Sequence, residues 1–443
     1  MEKKKIHFIA IGGAAMHNIA LDMREQGHEV TGSDDEIYEP SLSRLKHAGL
    51  APQAFGWFPE RIHRSLDFII LGMHAKADNP ELLKAIELGI KVYSYPEFVY
   101  HHSKLKKRIV IAGSHGKTTT TAMVLHVLKK YNIDTDYLVG AHLEGFDKMV
   151  RLTDTHLIVI EGDEYLSSPV DRVPKILHYK PHIAVITGIA WDHINVFPTF
   201  TIYKEQFEKF IGTIEDSGVL IYNSKDQELN SLVADRPNIK CIPYQALQRA
   251  SQDGIIFENN IYRISVIGEH NLQNMNAARM VCEELGIETE RFFKGIEDFK
   301  GANKRLQKIS QTDDRVVYLD FAHAPSKVKA TVDSVKQWFG NHKLLAVVEL
   351  HTFSSLNKTF IPLYKGSLVA ADKAVVFYNE HTLKMKNMPG LDDEFIKSSF
   401  DHPDMLVFKD EKLLNKYLQS ARFKEYHLLL MTSGNFNKME MKF

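Results

Sequence analysis

The stretch Ile109–Leu128, IVIAGSHGKTTTTAMVLHVL, joins an apolar run to a helix-like run through a glycine turn. This order of strand, turn and helix is typical of a phosphate loop, where backbone N–H groups and a helix N-terminus face phosphate oxygens. The loop is shorter than the common G-x-x-x-x-G-K-[ST] pattern, because position 111 is Ile111 and the available glycine is Gly113. The stretch therefore predicts a nucleotide-binding α/β domain with a short phosphate loop.

The residue types of this loop indicate how it would hold a nucleotide. Lys117 would neutralise the terminal phosphates, and the Thr118 hydroxyl would bind Mg²⁺. We expect the Lys117 side chain to face solvent when no nucleotide is bound. The alternative is an ordinary glycine turn with a solvated lysine. The residues predicted to contact ATP here are Gly113, Ser114, His115, Gly116, Lys117, Thr118 and Thr119.

Length, charge and cysteine content limit the class of protein. The chain has 443 residues, 44% of them hydrophobic, which is enough for several domains with their own cores. Its 55 Lys+Arg and 56 Asp+Glu residues give a net charge of -1, which does not indicate a nucleic-acid or anionic-membrane partner. Cys241 and Cys282 cannot form a disulfide framework, and no long apolar run predicts a membrane span. We expect a cytoplasmic enzyme with small-molecule substrates.

Strand and helix signals alternate through three stretches, which predicts an α/β fold with parallel sheets. We place three domains at 1–106, 107–303 and 304–443, the first and third Rossmann-like and the central one of the phosphate-loop ATPase type. In the first domain Gly12-Gly13 separates strand from helix, and Asp34 follows the second strand at the spacing of a nucleotide-binding half. The third glycine of that fingerprint is missing, so a packing glycine pair and a dinucleotide site both remain open.

Acidic residues and a histidine follow two further apolar strands of the central domain. Glu161, Asp163 and Glu164 come after one strand, and Asp192-His193 comes after the next. Open α/β sheets bind ligands at the carboxyl ends of their strands, and hard cations prefer oxygen ligands. These residues are predicted to surround a metal site, although an acidic surface turn and a structural histidine are the alternatives.

A series of motifs in fixed order resembles the Mur ligases, ATP-dependent amide-forming enzymes of peptidoglycan metabolism. The matching segments are GSHGKTTT, EGDEY, DHIN, GEHNLQNMNAA, FKGANKRLQ and DFAHAP, which together span nearly the whole chain. The resemblance implies that Lys117, Glu161 and His193 serve catalysis, with Thr118, Glu161 and His193 as Mg²⁺ ligands. It implies further ATP contacts at Asn271, Asn274, Arg305, Asp320 and His323. It implies substrate contacts at Gly12, Gly13, Ala14, Met16, Ser33, Asp34 and His351.

Within the family, the segment IEGDEYLSS followed by ILHYKPHIAVITGIAWDHINVF is most similar to members that use a murein tripeptide. The implied reaction joins L-Ala-γ-D-Glu-meso-diaminopimelate to the lactyl carboxylate of UDP-N-acetylmuramate. Gly162 and Leu166 depart from the usual pattern. Ungapped counting puts Phe207 where several members have a carbamylated lysine, with Lys204 a turn earlier.

Several alternatives remain at this point. An alanine-adding ligase of the same family would take L-alanine as the amine. A folylpolyglutamate synthase-like enzyme would share the ATP domain but lack the uridine-binding domain. A nicotinamide-dependent oxidoreductase built on Gly12-Gly13 would leave the phosphate loop unexplained. A nucleotide-binding protein without catalysis would keep Lys117 but would not need Glu161 and His193.

Overall fold

The computed structural model of the protein describes residues 2–440, except 169, 194–195, 235, 252–253 and 303. The chain forms two compact units. The first consists of the residues up to Ile189 together with Thr201–Tyr244 and Ala277–Glu288. The second consists of Ala190–Phe200, Gln245–Asn276 and the residues from Thr289 onward.

The first unit contains a four-stranded sheet in which every strand is parallel to its neighbours. Its strands and helices, in chain order, are β1 (Lys5–Ile9), α1 (Ala14–Glu25), β2 (Glu29–Ser33), α2 (Ser41–His47), β3 (Phe68–Leu71), α3 (Pro80–Leu88), β4 (Val92–Ser94) and α4 (Tyr95–Ser103). The strand order is β2-β1-β3-β4. The carboxyl ends of β1 and β2 are therefore neighbours, which brings the glycine turn after β1 beside the residue that follows β2.

A second sheet of this unit has seven strands. The elements are β5 (Lys107–Ala112), α5 (Lys117–Lys130), β6 (Asp136–Leu138), β7 (Val150–Arg151), β8 (Leu157–Glu161), β9 (Ile183–Ile186), α6 (Phe200–Ile211), β10 (Val219–Asn223), α7 (Gln227–Val233) and β11 (Lys240–Tyr244). The order is β11-β10-β9-β5-β8-β6-β7, and only the β6–β7 pair is antiparallel among the described strands. Because β5 lies between β8 and β9, the ends of these three strands meet around the phosphate loop.

The second unit combines a small antiparallel sheet with a larger one. Its elements are β12 (Gln248–Ser251), β13 (Gly254–Phe257), β14 (Asn260–Arg263), the part of α8 (Glu269–Glu284) up to Asn276, α9 (Thr289–Ile296), β15 (Gln307–Gln311), β16 (Val316–Asp320), α10 (Pro325–Phe339), β17 (Lys343–Leu350), β18 (Lys373–Tyr378), α11 (Glu380–Met385), α12 (Asp393–Phe400), β19 (Met405–Phe408), α13 (Glu411–Leu418) and β20 (Tyr426–Met431). The larger sheet has the order β15-β16-β20-β17-β18-β19, with β15 antiparallel to β16.

The six-stranded sheet is buried on both faces, as parallel sheets require. Alternate residues of β17 enter different cores: Ala346 and Val348 pack with α10, while Leu345 and Val347 pack with α13. This explains why the strand reads as a continuous apolar run, KLLAVVEL, and not as an alternating one. Such runs are what made the main strands predictable.

The predicted α/β fold with parallel sheets is confirmed. The strand signals of the three alternating stretches correspond to β1, β2, β3, β4, β5, β8, β9, β10, β16, β17, β18 and β20. The sequence did not predict the antiparallel ribbon β12–β14 or the antiparallel pairing of β7 and β15, since these depend on partners that a local pattern does not identify. Within the described part of the chain, no helix has the length and apolarity needed to span a membrane.

Candidate active site

The phosphate loop occupies the carboxyl end of β5 and requires glycine for its shape. Gly113 has a φ of +124° and Gly116, the N-cap of α5, a φ of +81°, both in the region that L side chains rarely adopt. A Cβ at Gly113 would also lie 2.9 Å from the carbonyl oxygen of Gly188. The Ser114 N–H donates to that same carbonyl at 2.9 Å. The loop is thus packed against the end of β9.

Lys117 does not face solvent, contrary to the sequence-based expectation. Its Nζ donates to Glu164 Oε2 at 2.7 Å and to the Gly113 carbonyl at 2.5 Å, and only 14% of its side chain is exposed. Burial acts to lower the pKa of Lys117, but the Glu164 and Asp163 carboxylates outweigh it, so that pKa lies above its ordinary value. The ammonium is charged and already held beside the loop.

Glu164 is itself positioned by the helix that follows the DH motif. Its side chain is 1% exposed, and its Oε1 accepts a hydrogen bond from the Tyr203 hydroxyl at 2.9 Å. The Tyr203 oxygen lies 3.0 Å from Ser114 Oγ, within the phosphate loop. A buried hydrogen-bonded chain therefore connects α6, the acidic segment after β8 and the loop lysine.

Thr118 and Glu161 form a second contact between the loop and β8. The Thr118 hydroxyl donates to Glu161 Oε1 at 2.7 Å, and the Gly140 N–H donates to Glu161 Oε2 at 2.8 Å. A Cβ at Gly140 would come within 3.1–3.2 Å of the Glu161 carboxylate, so a side chain there would crowd it. A hydroxyl and a carboxylate oxygen side by side are donors that suit Mg²⁺.

Asp163, the first acidic residue after β8, has a cationic partner of its own. Asp163 Oδ2 accepts from Lys175 Nζ at 2.5 Å, and that ammonium lies 5.6 Å from the ring centroid of Tyr95 and 5.7 Å from that of Tyr165. Burial acts to lower the pKa of Lys175, but Asp163 outweighs it and raises that pKa. Each carboxylate of this segment thus contacts a different hydroxyl or ammonium group.

Asp192 and His193 belong to the second unit, near the start of its segment Ala190–Phe200. Asp192 Oδ1 accepts from the His193 N–H at 2.8 Å, and its Oδ2 lies 3.2 Å from Lys327 Nζ. Burial raises the pKa of Asp192, but Lys327 and the two histidines His193 and His323 together lower it below its ordinary value. His193 has a φ of +56°, a left-handed backbone conformation.

His323 is partly buried and interacts electrostatically with Asp192 and Lys327. Burial, reinforced by Lys327, lowers the pKa of His323 to about 3, so its imidazole is neutral at physiological pH. Its Nδ1 lies 2.9 Å from the Phe321 carbonyl oxygen, and the Tyr364 hydroxyl donates to the His323 carbonyl. Asp192, Lys327 and His323 therefore form one charged and polar cluster.

The other residues predicted to contact ATP make hydrogen bonds and ring contacts within the protein. Asn271 Nδ2 donates to the Ile267 carbonyl at 2.8 Å, and Asn274 Nδ2 lies 3.3 Å from Asn271 Oδ1. Asp320 accepts the N–H groups of Leu306 at 2.6 Å and Ala322 at 2.8 Å, which fixes the turn after β16. The guanidinium of Arg305 lies 4.6 Å from the Phe321 ring centroid.

The residues assigned to the substrate at the first sheet surround the turn after β1. Asp34 Oδ2 accepts from the Gly12 N–H at 2.7 Å, and a Cβ at Gly12 would lie 3.0 Å from that oxygen. Burial raises the pKa of Asp34, and the Gly12 N–H opposes that rise. Ser33 is buried and accepts from the Arg61 guanidinium at 3.0 Å. The remaining members are Gly13, which is the N-cap of α1, Ala14, its first residue, and Met16, which is buried.

His351 follows β17 in the second unit. Its Nδ1 lies 3.7 Å from Glu349 Oε1, and its N–H donates to Ser355 Oγ at 3.0 Å. Phe207, at the carbamylated-lysine position of other members, is fully buried, and Lys204 pairs with Glu228 at 2.6 Å.

Sequence reasoning missed three side chains of these clusters: Tyr203, Lys175 and Lys327. Each lies on an element remote in sequence from the motif residue it contacts, and none belongs to a spaced motif. Tyr203 offered the weak signal of a tyrosine in the helix that follows the DH motif. Only the tertiary structure shows that it reaches Glu164.

A short phosphate loop whose lysine is paired with a buried carboxylate, beside a hydroxyl–carboxylate pair on a parallel sheet, is the site of an enzyme that uses a nucleoside triphosphate. Residues 5–107 match the family model described as the Mur ligase family catalytic domain, and residues 111–282 match the Mur ligase middle domain. The chain belongs to the Mur ligase family. It is an ATP-dependent, ADP-forming ligase of that family.

The similar curated proteins carry two different activities. A UDP-N-acetylmuramate--L-alanine ligase of Caldicellulosiruptor bescii is 32% identical over 88% of this chain and 87% of its own length. A UDP-N-acetylmuramate--L-alanyl-gamma-D-glutamyl-meso-2,6-diaminoheptandioate ligase of Haemophilus influenzae is 26% identical over 99% of this chain and 98% of its own length.

Solved structures share the fold. A murein peptide ligase Mpl of Psychrobacter arcticus has a TM-score of 0.68 at 23% identity and covers 99% of this chain and 97% of its own. A UDP-N-acetylmuramate-alanine ligase MurC of Thermotoga maritima has a TM-score of 0.71 at 21% identity and covers 98% of this chain and 97% of its own.

Proposed function

We propose that this chain joins the murein tripeptide L-Ala-γ-D-Glu-meso-diaminopimelate to the lactyl carboxylate of UDP-N-acetylmuramate, an Mpl-type reaction of peptidoglycan recycling. In this proposal residues 1–106 bind the UDP-sugar, residues 107–303 bind ATP and Mg²⁺, and residues 304–443 contact ATP and the amine. One observation carries the ATP part of the proposal: Lys117 and Thr118 each contact a buried carboxylate at the end of β8.

The loop residues would act on the phosphates of ATP. Lys117 would exchange its contacts with Glu164 and the Gly113 carbonyl for phosphate oxygens. Because Glu164 and Tyr203 hold the ammonium beside the loop, little reorganisation precedes that exchange. The N–H groups of the loop and the N-terminus of α5 would receive the remaining phosphate charge.

Thr118 and Glu161 would hold a Mg²⁺ ion, with His193 as a further ligand. Their adjacent oxygen atoms support this assignment, since Mg²⁺ prefers hard oxygen donors. When bound, Mg²⁺ would offset the charge of phosphates and carboxylate that must approach one another. The Gly140 N–H keeps the Glu161 carboxylate oriented toward Thr118.

The implied chemistry passes through an acyl phosphate. An oxygen of the lactyl carboxylate attacks the γ-phosphorus of ATP, and ADP leaves. The amine nitrogen then attacks the acyl carbon, and inorganic phosphate departs with the oxygen that linked it to that carbon. Exclusion of water matters, because an exposed acyl phosphate would be hydrolysed.

The amine is the finer part of the proposal. The tripeptide assignment is supported by the similarity of residues 160–168 and 176–197 to tripeptide-using members and by the near full-length match to the Haemophilus influenzae ligase. The 32% identity to an L-alanine ligase favours a second candidate, an enzyme of the MurC type that takes L-alanine. The two candidates share the same ATP chemistry and differ only in the amine.

Glu161→Ala is expected to raise the Mg²⁺ concentration needed for half-maximal turnover and to lower turnover, with excess Mg²⁺ restoring part of it. Glu161→Gln is the matched variant, because it keeps an oxygen for the Gly140 N–H but lacks the charge. Mg²⁺ titrations of ADP release measure both. If both variants showed the Mg²⁺ dependence of the unaltered enzyme, Glu161 would have no role as a ligand.

The tripeptide is expected to give a kcat/KM at least about tenfold above that of L-alanine, or roughly 1.4 kcal/mol of differential transition-state binding. Parallel assays of ADP release with ATP, Mg²⁺ and UDP-N-acetylmuramate would measure both amines, with an amine-free reaction as the control. If L-alanine were turned over faster, the assignment of the tripeptide as the amine substrate would be rejected. The proposed ligase mechanism would be unaffected.

A further inference from the structure

Two loops meet at the carboxyl edge of the six-stranded sheet. One follows β17 and carries His351 and Phe353, and the other follows β18 and α11 and carries Lys386. The Lys386 Nζ lies 4.3 Å from the centroid of the Phe353 ring. The edge where these loops touch is the one at which open α/β sheets bind their ligands.

Lys386 differs from several lysines of the same unit in its surroundings. Lys397 pairs with Glu394 at 2.7 Å and Lys409 with Asp393 at 3.1 Å. Across the described residues, no carboxylate pairs with the Lys386 ammonium, and burial alone lowers the pKa of Lys386. A partly buried cation whose contact is an aromatic face is ready to accept an anion.

Phe353 gives this cation a fixed position. Phe353 is 49% exposed, although it is a large apolar residue just after a buried strand. An ammonium over a phenyl ring is attracted by the negative face of the ring, and its other N–H groups remain available to an acceptor. The exposure of Phe353 is explained if its ring supports Lys386 at a binding edge.

Glu349 and His351, at the end of β17 and just after it, contact the loop that follows β20. Glu349 is buried, and its Oε2 accepts hydrogen bonds from the Thr432 hydroxyl and from the Phe436 N–H, the latter at 3.0 Å. A Cβ at Gly434 would lie 2.9 Å from Glu349 Oε2 and 3.0 Å from His351 Cγ, so the loop after β20 packs closely on His351. The Glu349 carboxylate therefore already accepts hydrogen bonds from this loop, and it forms no ion pair with Lys386 among the described residues.

We propose that Lys386, seated on Phe353, binds a free carboxylate on the distal residue of the amine substrate and thereby selects a peptide over a single amino acid. This inference rests on the proposed function and assigns part of its specificity to one residue. Lys386 would be a specificity-determining residue, with Phe353 as its positioning residue.

The chemistry of the two amines makes such a contact selective. In L-alanine the only carboxylate is adjacent to the reacting nitrogen. In the tripeptide the reacting nitrogen is at one end, while the diaminopimelate carboxylates lie beyond the γ-linked glutamyl residue, at least about 12 Å away in an extended chain. A cation that binds a carboxylate at that distance strengthens the binding of the tripeptide and leaves the binding of L-alanine unchanged.

The test compares Lys386→Met, Lys386→Arg and, as the matched control on the exposed face of α11, Lys384→Met. The substrates are the tripeptide, L-alanine and two tripeptide analogues, each with one diaminopimelate carboxyl converted to a carboxamide. For Lys386→Met we expect a KM for the tripeptide about tenfold higher, with kcat and the KM for ATP changed less than about twofold. Lys386→Arg should recover part of the loss, and Lys384→Met should behave as the unaltered enzyme.

The analogues identify the carboxylate. One of them should be a poorer substrate for the unaltered enzyme, and Lys386→Met should not worsen it further. The proposal is overturned if Lys386→Met leaves the tripeptide KM unchanged, or if it raises the KM for L-alanine as much as that for the tripeptide. It is also overturned if Lys386→Met raises the KM of both analogues equally. If the unaltered enzyme prefers L-alanine, the proposed function fails, and this is seen before any variant is made. Phe353→Leu, with an expected smaller rise in the tripeptide KM, repeats the test should Lys386→Met not fold.

Discussion

Lys117→Ala is expected to lower kcat/KM for ATP-dependent ligation by about 100-fold or more, because in the proposed function the loop ammonium would offset charge that builds on the transferring phosphoryl group. Lys84→Ala is the matched control, since Lys84 forms an exposed ion pair with Glu87 on α3 and contacts no part of the phosphate loop. Steady-state ADP release at saturating amine measures both variants. The control should retain the turnover of the unaltered enzyme.

The surroundings of Lys117 require a second variant. Its partner Glu164 is almost fully buried, and removing one member of a buried ion pair typically costs about 3–5 kcal/mol of stability. Lys117→Met combined with Glu164→Gln removes both charges, keeps most of the volume and leaves Tyr203 an acceptor. We expect the double variant to fold and to remain inactive. A folded double variant with normal turnover would contradict the assigned role of the loop.

Much of the fold follows from local pattern. The strand, glycine turn and helix at 109–128 predicted β5, the phosphate loop and α5, and long apolar runs predicted the central strands of the larger sheets. These signals are strong because strands buried on both faces must be continuously apolar. Short edge strands such as β7 and β12 carry no such signal, since their pairing is set by partners elsewhere in the fold.

The candidate site was predictable in its motifs but not in its contacts. Sequence spacing placed Thr118 in the phosphate loop and Glu161 at the end of a strand, and the strand order brings their side-chain oxygens to 2.7 Å. It did not show that Lys117 is buried against Glu164, or that Tyr203 completes that pair, because such contacts depend on how α6 packs on the sheet. The contact between Lys386 and Phe353 could not be predicted either, because it also depends on tertiary packing.

If ATP activates the lactyl carboxylate of UDP-N-acetylmuramate as an acyl phosphate, as proposed, the two oxygen atoms of that carboxylate end in different products. UDP-N-acetylmuramate labelled with ¹⁸O at both carboxylate oxygens would be turned over with ATP, Mg²⁺ and the tripeptide, and the inorganic phosphate examined by mass spectrometry. One carboxylate oxygen must leave with phosphate and the other must stay in the amide, because the amine displaces the phosphate at the acyl carbon. The account predicts one ¹⁸O in each phosphate released during amide formation. Unlabelled phosphate accompanying labelled amide would contradict it.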